Sequence, residues 1–247
     1  MPVFKSKYHV CEVFGIPIYV ELSFIFLLII FVTDFGSFTF GVAAALTLAI
    51  SVTLHELGHA LTARAFGYRT RDITLSLLGG CASLIALPRK AWQEFVTALA
   101  GPLVSFAIAG AVLLLDVLDV SVPNAWLRGV LQYAFWMNVV LGTFNLLPGF
   151  PMDGGRIFRS VMCAFLTRAK ATLVAMWVGR VFAILLGLRG LHSIMTNGAW
   201  GFISILIAWM IWREGYREYQ VALAEESFRG WTQDDFEARV SPPPYDR

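Results

Sequence analysis

Residues 95–115 run for 21 positions, and residues 129–147 for 19, without a single charged side chain. At about 1.5 Å of rise per residue, a helix of about 20 apolar residues crosses the roughly 30 Å of hydrocarbon in a bilayer. Four more runs approach that length: 16–33, in which Glu21 is the lone charge, 40–66, 171–188, which Arg180 interrupts, and 191–212. The chain therefore reads as an α-helical polytopic membrane protein of about six transmembrane helices. Composition excludes an ordinary soluble globule, because 57% of the residues are hydrophobic and 15% are charged, against about a quarter charged in a soluble domain.

If six helices alternate, every one of the 19 Lys and Arg residues falls on one side except Arg128 and Arg189, which lie opposite, and Arg180, which lies within a span. Lys and Arg accumulate in cytoplasmic loops, so both termini are expected in the cytoplasm, with Asp34, Asp116 and Asp119 outside. The lysines before the first apolar run have the look of a secretory leader. No small-residue cleavage pattern follows, and the segment is expected to be retained. Cys11, Cys81 and Cys163 have neither disulfide-framework nor metal-cluster spacing. No basic patch interleaves with exposed aromatics, so nucleic acid is not an expected partner, and the lipid bilayer is the surrounding medium.

One apolar span carries chemistry. His55-Glu56-Leu57-Gly58-His59 lies in the run 40–66, and residues four apart share a helical face, so both imidazoles reach one ion from the same side. Glu56 sits beside them, placed to take a proton from water as a general base. Two solvated surface histidines would be the ordinary alternative. Holding an acid near membrane depth costs about 2.5–3.5 kcal/mol even on lenient insertion scales, which favours the metal site.

A catalytic zinc site takes three protein ligands and keeps one position open. Among His9, His192, Asp34, Asp116, Asp119 and Asp153, the expected topology leaves Asp153 on the side of the histidine pair. It follows Asn145-Leu146-Leu147-Pro148-Gly149-Phe150-Pro151-Met152 and precedes Gly154-Gly155, where prolines must break the helix. Broken backbone at membrane depth is tolerated where it is buried in protein or lines a cavity. The alternative role for Asp153 is to cap the next helix.

Together, the histidine pentapeptide in one span and Asn-Leu-Leu-Pro with Asp-Gly-Gly after another resemble the site-2 protease family of intramembrane zinc metalloproteases. Leu78-Gly79-Gly80 and Ala100-Gly101-Pro102 extend the resemblance, which covers roughly residues 8–212. The resemblance implies that His55, His59 and Asp153 bind Zn2+, that Glu56 is the catalytic base, and that Asn145 lies close to substrate. It implies an endopeptidase cutting transmembrane segments of other membrane proteins, with membrane-tethered regulators or signal-peptide remnants as substrates. Where family members commonly carry Asn, this chain has Ser105, which weakens the expectation of a polar contact from that helix. The short segment between the third and fourth spans leaves no room for an extracytoplasmic peptide-binding domain, and the resemblance is to the six-span branch. The cytoplasmic nucleotide-sensing module often found in that branch is not expected here.

Cutting a helix requires an unwound substrate. Residues 72–87 read as a β-hairpin turning at Gly79-Gly80, and Tyr8 to Tyr19 as a further strand of a small membrane-associated sheet. Leu77, Leu78, Gly79 and Gly80 are the residues expected to pair with substrate, and a purely structural hairpin is the alternative. Asn145 serves either as an oxyanion donor or to satisfy backbone freed at the helix break. Arg180 is not assigned to catalysis. Residues 213–228 are expected to continue the last helix, and Ser241-Pro242-Pro243-Pro244 marks an irregular tail. A non-catalytic membrane scaffold and a metal transporter using the same ligands are the competing functions, and neither requires Glu56 as a base.

Overall fold

The computed structural model describes residues 7–34, 37–76, 79–84, 90–196 and 200–228. Among these the chain forms β1 (Lys7–Val13), β2 (Ile16–Glu21), α1 (Leu22–Asp34), α2 (Phe38–Ala65), β3 (Thr70–Ser76) and β4 (Gly79–Leu84). Then follow α3 (Ala91–Val117), α4 (Ala125–Asn145), α5 (Asp153–Met162), α6 (Arg168–Thr196) and α7 (Trp200–Phe228). This is a helical membrane protein with a small sheet. Among the described residues, α2, α3 and α6 are long and apolar enough to cross a bilayer. Two compact units form: Met1–Leu147 with Met152–Val161, and Pro148–Pro151 with Met162–Arg247.

In the first unit the strands lie in the order β1-β2-β3-β4. The single strand expected from Tyr8 to Tyr19 is instead an antiparallel hairpin, with Val13 opposite Ile16. Its turn is Phe14-Gly15, with φ of 52° and 77°. Positive φ at both central positions matches the strand twist, and Gly15 adopts it without steric cost. β2 runs parallel to β3, with Ile18 opposite Ile73 and Val20 opposite Leu75, and α1 and α2 make the crossover. β3 and β4 are antiparallel with Ser76 opposite Gly79. The two glycines thus begin β4 and do not form the turn, because the register closes two residues earlier than the dipeptide signal indicates. Leu77 and Leu78 lie outside the described residues.

Alternation in β2 and β3 turns Ile16, Ile18, Ile73 and Leu75 toward one face, where they pack with Phe24 of α1 and with Leu48, Val52, Leu57 and Ala60 of α2. Burying such a side chain fully is worth about 1.5–3 kcal/mol. A one-residue slip would turn the whole set outward, so the register is firmly specified and the sheet is seated beside the histidine-bearing half of α2.

The expected first span, 16–33, is corrected. Its first six residues are β2, leaving α1 with 13 residues, about 20 Å of helix. Alternating Ile-Pro-Ile-Tyr-Val pairs well in a sheet, and the apolar run alone does not separate strand from helix.

The second unit is built on an α6–α7 hairpin. A Cβ at Gly190 would approach the Gly201 carbonyl to 2.8 Å, and one at Gly201 would strike the Gly190 carbonyl. Small residues let the backbones meet. At the other end of the pair, the Ala169 amide donates to Glu226 Oε1 at 2.8 Å, and Arg168 Nε lies 3.3 Å from Glu225 Oε2. The expected boundary between spans 171–188 and 191–212 is absent: α6 continues through Arg189 and His192 to Thr196. A charged residue ends an apolar run, but without proline it does not end a helix. The last helix continues past Trp212 to Phe228, and the tail from 229 onward lies outside the described residues.

Candidate metal centre

The spacing of His55 and His59 places both rings on one face of α2, with centroids 4.9 Å apart. Asp153, the first residue of α5, brings Oδ2 within 3.2 Å of His55 Nε2 and 3.1 Å of His59 Nε2. The three ligating atoms lie within 4.8 Å of one another. His55 is 2% and His59 9% exposed. Glu56 is buried on the same helix at 8%.

The donor set fits a zinc ion. Atoms bound at about 2.0–2.2 Å with tetrahedral angles lie about 3.3–3.6 Å apart, close to the separations here. Each ring is also oriented from behind. His59 Nδ1 donates to the Thr97 carbonyl at 2.7 Å, and His55 Nδ1 lies 2.9 Å from Ser105 Oγ. With Nδ1–H engaged, a neutral imidazole presents its lone pair at Nε2, as a metal ligand must. Asp153 Oδ2 completes the set as an oxygen donor facing both Nε2 atoms.

Three glycines clear the space. A Cβ at Gly101 of α3 would lie 2.7 Å from His55 Nε2 and collide with His59 Nε2. At Gly58, a Cβ would lie 2.9 Å from Val104 Cγ2 and 3.0 Å from the Ala100 carbonyl, so glycine within the histidine pentapeptide lets α2 and α3 close. At Gly154, it would strike the carbonyls of Leu146 and Leu147. The glycine after Asp153 thus lets α5 start against the end of α4.

Several roles were not legible in the sequence. Ser105 makes the polar contact that its departure from Asn counted against. Glu94 and Arg159 form a buried ion pair, exposed 4% and 2%, although Arg159 reads in the sequence as one more basic residue on the cytoplasmic side. Asn138, inside an uncharged span and fully buried, donates to Ser51 Oγ at 2.9 Å, linking α4 to α2. Of the remaining candidates, Asn145 closes α4 half-buried, its amide donating to the Leu141 carbonyl at 3.0 Å. Gly79 and Gly80 pair with Ser76 and Leu75. His9 stands edge-on to Tyr19 in the β1–β2 hairpin, and His192 lies in α6.

Residues 43–124 and 117–187 match peptidase family M50. The chain is 33% identical to a putative zinc metalloprotease of Synechocystis, over 94% of this chain and 64% of that protein. It is 33% identical to a zinc metalloprotease of Methanocaldococcus jannaschii, over 88% of this chain and 62% of that protein. The chain thus spans a little under two thirds of the length of these curated relatives. A solved structure, the site-2 protease from Methanocaldococcus jannaschii, matches with a TM-score of 0.65 and 32% identity, covering 86% of this chain and 95% of that one.

Proposed function

The chain belongs to peptidase family M50, and from that premise we propose that it is a zinc-dependent intramembrane endopeptidase that hydrolyses peptide bonds in the transmembrane segments of other membrane proteins. The observation that carries the reading is the meeting of His55 Nε2, His59 Nε2 and Asp153 Oδ2, drawn from two elements 94 or more residues apart in sequence, with the far side of each ring hydrogen-bonded in α3.

His55, His59 and Asp153 would hold the ion. When bound, zinc supplies Lewis-acid activation of water and polarisation of the scissile carbonyl. The Glu56 carboxylate accepts a proton from the attacking water and returns it to the departing amine nitrogen, a role typically contributing about 100- to 10,000-fold. The Asn145 amide, half-buried at the end of α4, donates to the oxyanion after leaving the Leu141 carbonyl. Substrate unwinds and pairs with the edge strand β4 from Gly79 and Gly80, since β4 closes the sheet on that side and an edge strand offers unpaired backbone groups; Leu77 and Leu78 are further contacts proposed for the same substrate. The cytoplasm holds both termini, as the Lys and Arg distribution favours, and membrane-tethered regulators or signal-peptide remnants are the substrates.

Purified full chain, a fluorescent transmembrane peptide and zinc analysis test the reading. Glu56→Gln is expected to retain stoichiometric zinc and to lose cleavage by at least about 100-fold. Cleavage at the wild-type rate would remove Glu56 as the base. A wild-type protein that binds zinc and transports it without cutting any peptide would replace the reading with a transporter.

A further inference from the structure

Glu94, Thr97, Gly101 and Ser105 succeed one another at intervals of three, four and four residues, so they form one stripe along α3. Three of them act on the histidine pair: the Thr97 carbonyl accepts from His59, Gly101 leaves room beside both Nε2 atoms, and Ser105 Oγ meets His55 Nδ1. The fourth reaches the segment that bears the carboxylate. Arg159 Nε donates to Glu94 Oε1 at 3.1 Å, and Arg159 Nη2 donates to the same oxygen. Arg159 lies six residues after Asp153 in α5, about 9 Å further along the helix.

A helix of ten residues has little stability of its own, so tertiary anchors decide where its first residue points. Its N-terminal end rests on the carbonyls of Leu146 and Leu147 through Gly154. Its second turn is fixed by an arginine 2% exposed on a glutamate 4% exposed. A buried ion pair contributes little net stability relative to a well-packed apolar pair, but it fixes orientation, because a planar guanidinium bonds in few geometries. We propose that the Glu94–Arg159 ion pair is a positioning device for the metal centre, holding α5 on the α3 stripe so that Asp153 Oδ2 meets the two imidazoles oriented by that same stripe. Neither residue touches metal or substrate. The inference rests on the reading of His55, His59 and Asp153 as zinc ligands.

The test uses the full chain purified in detergent as wild type, Glu94→Gln, Arg159→Lys, the double variant Glu94→Leu/Arg159→Met, and His55→Ala. Three quantities are measured: zinc affinity by competition with a chelator, the visible spectrum of the cobalt-substituted protein, and the unfolding midpoint of the metal-free protein. Glu94→Gln and the double variant are expected to bind zinc about 10- to 100-fold more weakly, the usual consequence of disturbing groups behind the ligands, and to shift the cobalt bands. Arg159→Lys is expected to recover part of the affinity. The metal-free midpoint of the double variant is expected to stay at the wild-type value, since apolar replacement of a buried pair is often neutral. Wild-type affinity and spectrum in the double variant would overturn the proposal, and if that variant does not accumulate, the same result in Glu94→Gln overturns it. His55→Ala separates the failures. Zinc bound by wild type, lost in His55→Ala and unchanged in the pair variants defeats the positioning role alone. A wild type that binds no zinc defeats both readings.

Discussion

In the α2–α3 contact and in the α6–α7 contact, glycine lets two apolar helices approach, but different atoms occupy the space it leaves. A Cβ at Gly101 would meet the ring nitrogens of His55 and His59; a Cβ at Gly190 would meet the Gly201 backbone carbonyl and the side chains of Ser204 and Ile205. In the second case small residues serve helix packing alone, the common arrangement in membranes. In the first they clear a volume whose walls are lone pairs. Polar side chains follow the same division. Around α3, the side chains of Ser105 and Glu94 reach His55 and Arg159, and the Thr97 backbone carbonyl accepts from His59. In the α6–α7 hairpin, Arg180 lies over the rings of Trp177 and Trp212, 4.7 and 4.5 Å from their centroids. A glycine in an apolar helix therefore carries chemical meaning only when the neighbours across the gap are ligating atoms.

The sharpest way to break this contrast is Gly101→Ala. One methyl group, 2.7 Å from His55 Nε2, would take the volume in which an ion must sit. The variant is expected to lose stoichiometric zinc and all measurable peptide cleavage, read by elemental analysis of purified protein. Full zinc content would mean that α3 yields easily and that the glycine is ordinary packing. A smaller loss is expected from Ser105→Ala, which removes the partner of His55 Nδ1. Zinc affinity should fall about 10- to 100-fold, while Ser105→Asn, which keeps a hydrogen-bonding group, should retain more of it. Equal affinity in all three proteins would reduce Ser105 to a space-filling residue.

The legible part of this protein is local chemistry, and the illegible part is distance. Histidines four apart on an apolar run announce a shared face, and prolines around Asp153 announce a break, because both are properties of neighbouring residues. The expected topology also left Asp153 as a candidate partner of the histidine pair beside its capping alternative, and the structure brings the three residues together. What escaped were partners set by packing. Nothing near Glu94 in the sequence indicates Arg159, and nothing near Asn138 indicates Ser51. Resemblance misled at Ser105, since a shorter hydroxyl side chain still reaches the ring when glycines draw the helices together. Apolar run length fails at 16–33, where a two-sided strand and a helix have similar composition, and at Arg189, where a charge ends the run but not the helix.

Gly190→Ala is the counterpart in the hairpin. Overpacking of this kind costs about 1–3 kcal/mol, and in a chain of this size each kcal/mol lowers the unfolding midpoint by about 2–4 °C. The variant is expected to melt earlier while binding zinc with wild-type affinity. A joint loss of both would erase the distinction between the two glycine contacts.

Arg180→Gln is the mildest test. A cation over an aromatic face contributes about 0.5–1 kcal/mol at exposed sites and about 2 when desolvated, whereas a charge at membrane depth costs about 2.5–3.5 kcal/mol on insertion scales. Arg180 is half-buried and Trp177 and Trp212 are 55% and 43% exposed, so the two ring contacts offset part of that cost. The unfolding midpoint is expected to move by no more than a few degrees, with zinc content and peptide cleavage at wild-type levels. A large fall in cleavage at unchanged stability would show that the hairpin does more than pack, and that Arg180 belongs with the chemistry assigned to α2, α3 and α5.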